Sequence, residues 1–111
     1  MQKRTGGTTK TGNTLRSVPY NDYLLKSLKD RRRAKAYLKA ALEDEDPRVF
    51  LLALRNVAQA QGMGRVAVES GLNRESLYKM LSDRGNPGWQ SLSALLASLG
   101  FRLTIESKNA A

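Results

Sequence analysis

The side chains best suited to a chemical role in this chain of 111 residues lie between positions 65 and 81, and they suit nucleic-acid binding. Ala67, Gly71 and Leu72 have the sizes and spacing of a tight turn between two short helices. A small residue permits a close helix crossing, and glycine readily adopts the positive φ that ends the first helix. Asn73 can cap the second helix by accepting a backbone hydrogen bond. The pattern therefore predicts a helix-turn-helix.

In this motif the second helix enters the major groove, and its first residues reach the edges of the bases. We predict four base-reading residues: Asn73, Arg74, Glu75 and Tyr78. We expect five further residues to contact DNA phosphates: Arg65, Lys79, Ser82, Arg84 and Asn86. Leu77 and Met80 are three positions apart and should face the core. The alternative is a plain helical hairpin whose polar face only meets solvent.

Positive charge is concentrated in the first third of the chain. The formal net charge is +9 at pH 7, and residues 1–40 hold eleven Lys or Arg against two Asp or Glu. This excess favours a polyanionic partner such as DNA or an acidic protein surface, and a solvated helix face with a basic tail would give the same count. Residues 64–84 hold four basic and three acidic side chains. The basic first third or a second subunit would therefore have to supply most of the non-specific attraction to DNA.

Composition excludes several classes of function. The chain has no Cys and no His, which removes disulfides, thiol nucleophiles, imidazole bases and Cys/His metal sites. Ser76, Lys79 and Ser82 have no oriented base beside them, so we predict no catalytic role, no metal and no other cofactor. The acidic residues 43–46 suit helix capping better than metal binding. No apolar run approaches the about 20 residues of a membrane span, and we expect a cytoplasmic protein without membrane contact.

The surrounding sequence predicts a mostly α protein. Residues 1–13 are rich in Gly, Thr and Lys without hydrophobic periodicity, and we predict a flexible basic tail. Residues 14–46 are predicted to be an N-terminal helical segment. Residues 47–107 are predicted to hold the helix-turn-helix core and a C-terminal strand.

Capping residues predict where the helices begin. Asn21 or Asp22 is the expected cap of the first helix, which would follow a very short strand at 15–18. Asp30 is the expected cap of the second helix, and Asp46, which precedes a proline, is the expected cap of the third. Further along, Trp89 and Phe101 are predicted to be core aromatics beside leucines of the last helix.

Alternating apolar residues after Gly100 predict a strand with one buried face. A single strand needs a partner for its backbone, which could be residues 15–18 or the same strand of a second copy. We predict a homodimer, because two recognition helices could then read half-sites roughly 34 to 36 Å apart. The expected dimer contacts are Phe101, Leu103 and Ile105.

Residues 20–106 resemble a known family. The resemblance lies in three segments, YNDYLLKSLKD, AKAYLKAALEDEDPRVFLLALRNVAQAQGMGRVAVESGLNRESLYKMLS and GNPGWQSLSALLASLGFRLTIES. They are similar to the small HigA-like antitoxins of the addiction module antidote family, whose core is a lambda-repressor-like (Xre-type) helix-turn-helix. The resemblance implies a bundle of about five to six helices. It also implies two partners, a small toxin of the ParE/RelE (HigB-like) type and the operator DNA of the protein's own operon.

If the chain binds such a toxin, we expect the contact on the N-terminal helical segment. The predicted toxin-binding residues are Tyr23, Leu24, Leu28, Arg31, Arg32 and Tyr37. For the tyrosines, packing in the core is an equal alternative. Two other functions stay open: a phage or plasmid repressor of the lambda-like type without a toxin, and a helical adaptor that binds only protein.

Overall fold

A computed structural model describes residues 17–108, and this part of the chain is mostly α-helical, as predicted. Six helices follow one another: α1 (Ser17–Ser27), α2 (Arg31–Leu42), α3 (Pro47–Gln61), α4 (Met63–Ser70), α5 (Arg74–Met80) and α6 (Trp89–Ser98). The predicted tail at residues 1–13 lies outside the described residues. Within residues 17–108, no helix is both long enough and apolar enough to cross a membrane.

Three helices begin at the capping residues that the sequence predicts. The side chain of Asp30 accepts hydrogen bonds from two backbone amides of α2, at 2.9 and 3.3 Å. Asp46 accepts from one amide of α3 at 2.9 Å, and Asn73 accepts from one amide of α5 at 2.7 Å. Each cap satisfies backbone donors that have no partner inside the helix. These three helix starts are therefore determined locally.

The first helix begins earlier than predicted. It starts at Ser17, so neither Asn21 nor Asp22 is its cap. Residues 17 and 18 are helical, which contradicts the short strand predicted at 15–18, whose first two residues lie outside the described part of the chain. Pro19 does not stop this helix, because backbone amides in the first turn have no intrahelical partner to lose.

One hydrophobic core joins the N-terminal helices to the rest of the fold. Leu28, Ala34 and Leu38 are buried together with Leu54 and Val57 of α3. Helix α3 packs against α1, α2 and α4, and α4 packs in turn on α5 and α6. The side chains that hold α1 and α2 in place are thus part of the same core that supports α4 and α5.

The predicted C-terminal strand is not formed in the described residues. After α6, residues 101–106 belong to no helix or strand. Phe101 and Leu103 are half-buried against the core, whereas Ile105 is fully exposed. The physical reason is that a strand needs a neighbour for its backbone donors and acceptors, and the described part of one chain offers none.

The prediction that Trp89 lies in the core is also wrong. Its side chain is 67% exposed at the first residue of α6. Leu92, one turn later on the same face, is only half-buried, and Leu95 and Leu96 are buried. The core therefore ends before it reaches the start of α6, and the indole projects beyond it.

Candidate nucleic-acid interface

Helices α4 and α5 are joined by only three residues, and Gly71 makes this short turn possible. Gly71 has a φ of +77°, in the left-handed region that favours glycine. Its amide donates to the carbonyl of Val68 at 3.3 Å, and the amide of Leu72 donates to the carbonyl of Ala67 at 3.2 Å. These two bonds satisfy the last carbonyls of α4, so that α5 can begin directly after Asn73.

The inner side of this helix pair is apolar, as predicted. Ala67 on α4 and Leu77 on α5 are buried, and Met80 is half-buried against the core. Leu81, one residue after α5, is also buried, although it was not among the predicted core residues. These side chains fix the orientation of α5 relative to α4.

The outer side of α5 carries exposed polar side chains. Arg74 and Glu75 lie in its first turn, and Lys79 lies in its last. Within residues 17–108, neither Arg74 nor Lys79 forms an ion pair. Both cations therefore remain available for an external anion or for hydrogen-bond acceptors on bases.

Tyr78 does not face outward as fully as predicted. Its side chain is half-buried, and the guanidinium carbon of Arg55 on α3 lies 5.5 Å from the centre of its ring. This is a cation–π distance, and the contact holds the ring against α3. The sequence gives no sign of it, because the two residues become neighbours only through the packing of α3 against the α4–α5 pair.

Arg65 on α4 is exposed but already has partners. It donates to the side chain of Glu69 at 2.6 Å, and it also contacts the carbonyl and the side chain of Gln61. Exposed ion pairs of this i,i+4 type contribute only about 0.3–0.5 kcal/mol. A phosphate can therefore replace Glu69 at a small energetic cost.

The loop after α5 contains the remaining predicted phosphate contacts. Ser82 is half-buried, and its hydroxyl donates to the carbonyl of Lys79 at 2.8 Å. Arg84 and Asn86 are exposed on either side of Gly85. A side chain at Gly85 would collide with the carbonyl of residue 80, so this glycine lets the loop lie closely against the end of α5.

The predicted toxin-binding residues differ in their exposure. Tyr23 is 67% exposed, and Arg32 is exposed at the start of α2. Leu24 is half-buried. Leu28 is only 2% exposed and packs in the core, so its side chain is not part of the surface. Of these four residues, Tyr23 and Arg32 are accessible to a partner.

Arg31 and Tyr37 already contact other parts of the chain. The Nη2 atom of Arg31 donates to the carbonyl of Gly100 at 2.7 Å, and its guanidinium lies 5.8 Å from the centre of the Phe101 ring. The hydroxyl of Tyr37 accepts a hydrogen bond from the side chain of Asn56 at 2.8 Å. These contacts attach α2 to the end of α6 and to α3.

Two of the three predicted dimer residues, Phe101 and Leu103, border an open groove, whereas Ile105 does not line it. The groove lies between α2 and residues 101–106 and has a volume of about 580 Å³. Phe101 and Leu103 form part of its apolar wall, and Lys35 and Lys39 line its α2 side. Residues 102–106 make no backbone hydrogen bond to any other described residue.

The acidic residues between α2 and α3 serve the turn. Asp44 accepts a hydrogen bond from the amide of Asp46 at 2.8 Å. Hydrogen bonds from the Arg48 side chain, and then from its backbone amide, lower the pKa of Asp46. No group of three His, Cys, Asp or Glu side chains in the described range is placed to hold a metal ion.

Comparison with known proteins adds evidence that is independent of this geometry. The model of a family described as "Probable addiction module antidote protein" matches residues 20–107. A protein of Haemophilus influenzae, described as uncharacterized, is 29% identical over 79 residues, which cover 71% of this chain and 81% of that relative. No solved structure matches the chain.

Proposed function

The chain belongs to the family of probable addiction module antidote proteins, and on this basis we propose that it is the antitoxin of a toxin–antitoxin module. In this proposal it neutralises a small toxin of the ParE/RelE (HigB-like) type. It also represses its own operon by sequence-specific binding of operator DNA, as HigA-like antitoxins do. The function involves binding alone, without a catalytic step, a metal or another cofactor.

The exposed polar face of α5, directly after the turn at Gly71, carries the DNA-binding half of the proposal. We propose that α4 and α5 act as an Xre-type helix-turn-helix with α5 in the major groove. Arginine can donate two hydrogen bonds to guanine, which suits Arg74 in the first turn of α5. The first helix of such a motif crosses the DNA backbone, which suits Arg65 on α4 for a phosphate contact.

We propose that α1 and α2 carry the toxin contact. Tyr23 is 67% exposed and Leu42 is 50% exposed, so the fold leaves two large apolar side chains uncovered on these helices. Exposed aromatic and arginine side chains are typical anchors of protein interfaces. Arg32, which is exposed and forms no ion pair within residues 17–108, adds such a cation.

We further propose that the DNA-binding form is a homodimer that pairs through residues 101–106. Ile105 is fully exposed there, and the backbone of residues 102–106 makes no hydrogen bond to another described residue. Antiparallel pairing with the same segment of a second copy would cover the Ile105 side chain and give these backbone groups hydrogen-bond partners. The dimer would then present two copies of α5 to a palindromic operator.

The proposal is tested by two measurements on the full-length protein. The first compares its affinity for the promoter of its own operon with its affinity for a scrambled duplex of the same composition. Equal affinities would refute sequence-specific recognition. The second co-expresses the chain with the small open reading frame beside its gene. We expect the reading frame alone to arrest growth and co-expression of the chain to restore it.

Two outcomes separate the proposal from its alternatives. Operator binding beside a harmless neighbouring gene would favour a phage or plasmid repressor of the lambda-like type. Rescue of growth without operator binding would leave a protein-binding antitoxin and refute the DNA-binding half.

A further inference from the structure

A cavity of about 350 Å³ beside α4 is lined by three cationic side chains from separate parts of the chain. Lys29 lies in the connection between α1 and α2, Arg31 is the first residue of α2, and Arg65 belongs to α4. All three residues are exposed. The cavity therefore joins the basic first third of the chain to the helix pair that we propose binds DNA.

The cavity has a positive electrostatic character. Among residues 17–108, no acidic side chain lines it, and the one ion pair that these three cations make there is that of Arg65 with Glu69. Like charges around one space repel each other, and an anion placed between them replaces repulsion with attraction. The site thus favours an anion over neutral ligands.

Hydrogen-bond donors remain free at this cavity. The ammonium group of Lys29 has no hydrogen bond or ion pair to another described residue, so all three of its donors are available. Arg31 uses one of its five donors on the carbonyl of Gly100, and its stacking on Phe101 holds the guanidinium in place. A tetrahedral oxyanion can accept from several donors at once, as phosphate does.

We propose that this cavity binds a backbone phosphate of the operator DNA, next to the groove that α5 reads. This inference rests on the proposed DNA binding by α4 and α5 and extends its footprint to the N-terminal segment. The first helix of the motif crosses the DNA backbone, which brings Arg65 and the cavity beside it to the phosphates. Residues 64–84 are nearly neutral by themselves, so Lys29 and Arg31 supply charge that the helix pair lacks.

The test compares Lys29→Ala with Lys26→Ala. Lys26 is an exposed lysine in the last turn of α1 that does not line this cavity, which makes it a matched control. Affinity for operator and scrambled duplexes is measured from about 50 to 200 mM salt, over which one phosphate contact accounts for about a threefold loss in affinity. We expect Lys29→Ala to reduce the slope of log K against log salt by about 1 for both duplexes. Lys26→Ala should leave the slope unchanged.

Each other outcome refutes the proposal. A Lys29→Ala slope equal to that of the wild type, with the preference for the operator intact, would refute the phosphate site and leave recognition by α5 standing. Failure of the wild type to bind the operator would refute both proposals. Weaker co-purification of the toxin with an unchanged salt slope would assign the cavity to an acidic group of the partner protein.

Lys29 is the suitable residue for this test because its side chain is exposed and makes no hydrogen bond or ion pair to another described residue, so its truncation should leave the fold intact. A melting temperature of Lys29→Ala equal to that of the wild type verifies that folded proteins are compared. Arg31 is unsuitable, since its substitution also removes the hydrogen bond to Gly100.

Discussion

The Nη2 atom of Arg31 lies 2.7 Å from the carbonyl oxygen of Gly100, although the two residues are 69 positions apart. This hydrogen bond satisfies a carbonyl just beyond the end of α6, where helix carbonyls lack backbone partners. Gly100 has a φ of +88°, and a Cβ atom there would lie 2.8 Å from the Arg31 guanidinium. The arginine can approach so closely only because this position has no side chain.

This relationship predicts that substitutions at the two positions are not additive. Arg31→Ala should lower the free energy of unfolding by about 1 kcal/mol through loss of the hydrogen bond. Gly100→Ala should lower it by about 1–3 kcal/mol, because alanine is strained at positive φ and meets the guanidinium. The double variant should lose less than the sum, since the steric part disappears with Arg31. Urea unfolding measures the free energy of unfolding of all three variants. Strictly additive losses would show that an alanine at position 100 does not meet the Arg31 side chain.

Asn73 has two roles that substitution can separate. Asn73→Ala removes the acceptor for the amide of Ser76 and should destabilise the protein by about 1 kcal/mol. Asn73→Ser keeps a capping oxygen and should restore most of the lost stability. If Asn73 also contacts a base, Asn73→Ser should melt like the wild type and yet bind the operator more weakly. Unchanged operator affinity would leave Asn73 as a cap alone.

The two exposed cations of α5 should behave differently toward DNA. Arg74→Ala should cost about 1–3 kcal/mol of operator affinity and relax the preference at one base pair, because a base contact is lost. Lys79→Ala should weaken binding to all duplexes alike and reduce the salt slope by about 1. Competition with single-substituted operators distinguishes the two. A uniform loss for Arg74→Ala would reassign it to a phosphate.

Acid should weaken the start of α3 through Asp46. Its pKa is lowered, chiefly by hydrogen bonds from the Arg48 side chain, so the carboxylate is favoured in the folded state. A group whose pKa is lower in the folded state stabilises the protein above its unfolded pKa of about 3.9 and loses this contribution as the pH falls through its folded pKa. Asp46→Asn retains an acceptor for capping without the charge. Its melting temperature should therefore decline less steeply than that of the wild type below about pH 4, and parallel declines would exclude this ion pair as the cause.

The proposed dimer predicts that Ile105→Asp produces a folded monomer. Ile105 is fully exposed in the single chain, so a charge there leaves the core intact and disrupts only pairing with a second copy. Val68→Asp, at a position 81% exposed on α4, is the control and should keep the dimer. Sedimentation gives the masses, and an unchanged dimer for Ile105→Asp would exclude pairing through residues 101–106.

Sequence predicted those features whose cause lies within a few residues. Asp30, Asp46 and Asn73 each cap a helix that begins immediately after them, and Gly71 turns the chain between α4 and α5. The contacts of Arg31 with Gly100 and of Arg55 with Tyr78 could not be predicted in this way. Periodicity indicates which face of a helix is covered, but it does not identify the residue that covers it.

The prediction of residues 101–106 failed for a related reason. Phe101 and Leu103 face the core, as the alternation of apolar residues predicted, but Ile105, the third residue of the same pattern, is fully exposed. A strand, however, also depends on a neighbouring backbone, and the pattern within one segment carries no information about that neighbour. The same limit applies to Trp89, whose apolar character predicts burial while its place at the start of α6 leaves it exposed.

The single core shared by α2 and α3 has a consequence for the lifetime of the protein. Leu38 and Leu54 are buried in one cluster, so the chain should unfold in a single cooperative transition. A protease that unravels the first two helices would then destroy α4 and α5 as well, and no DNA-binding fragment would persist. Under the proposed function, degradation would therefore release the toxin and the promoter on the same timescale.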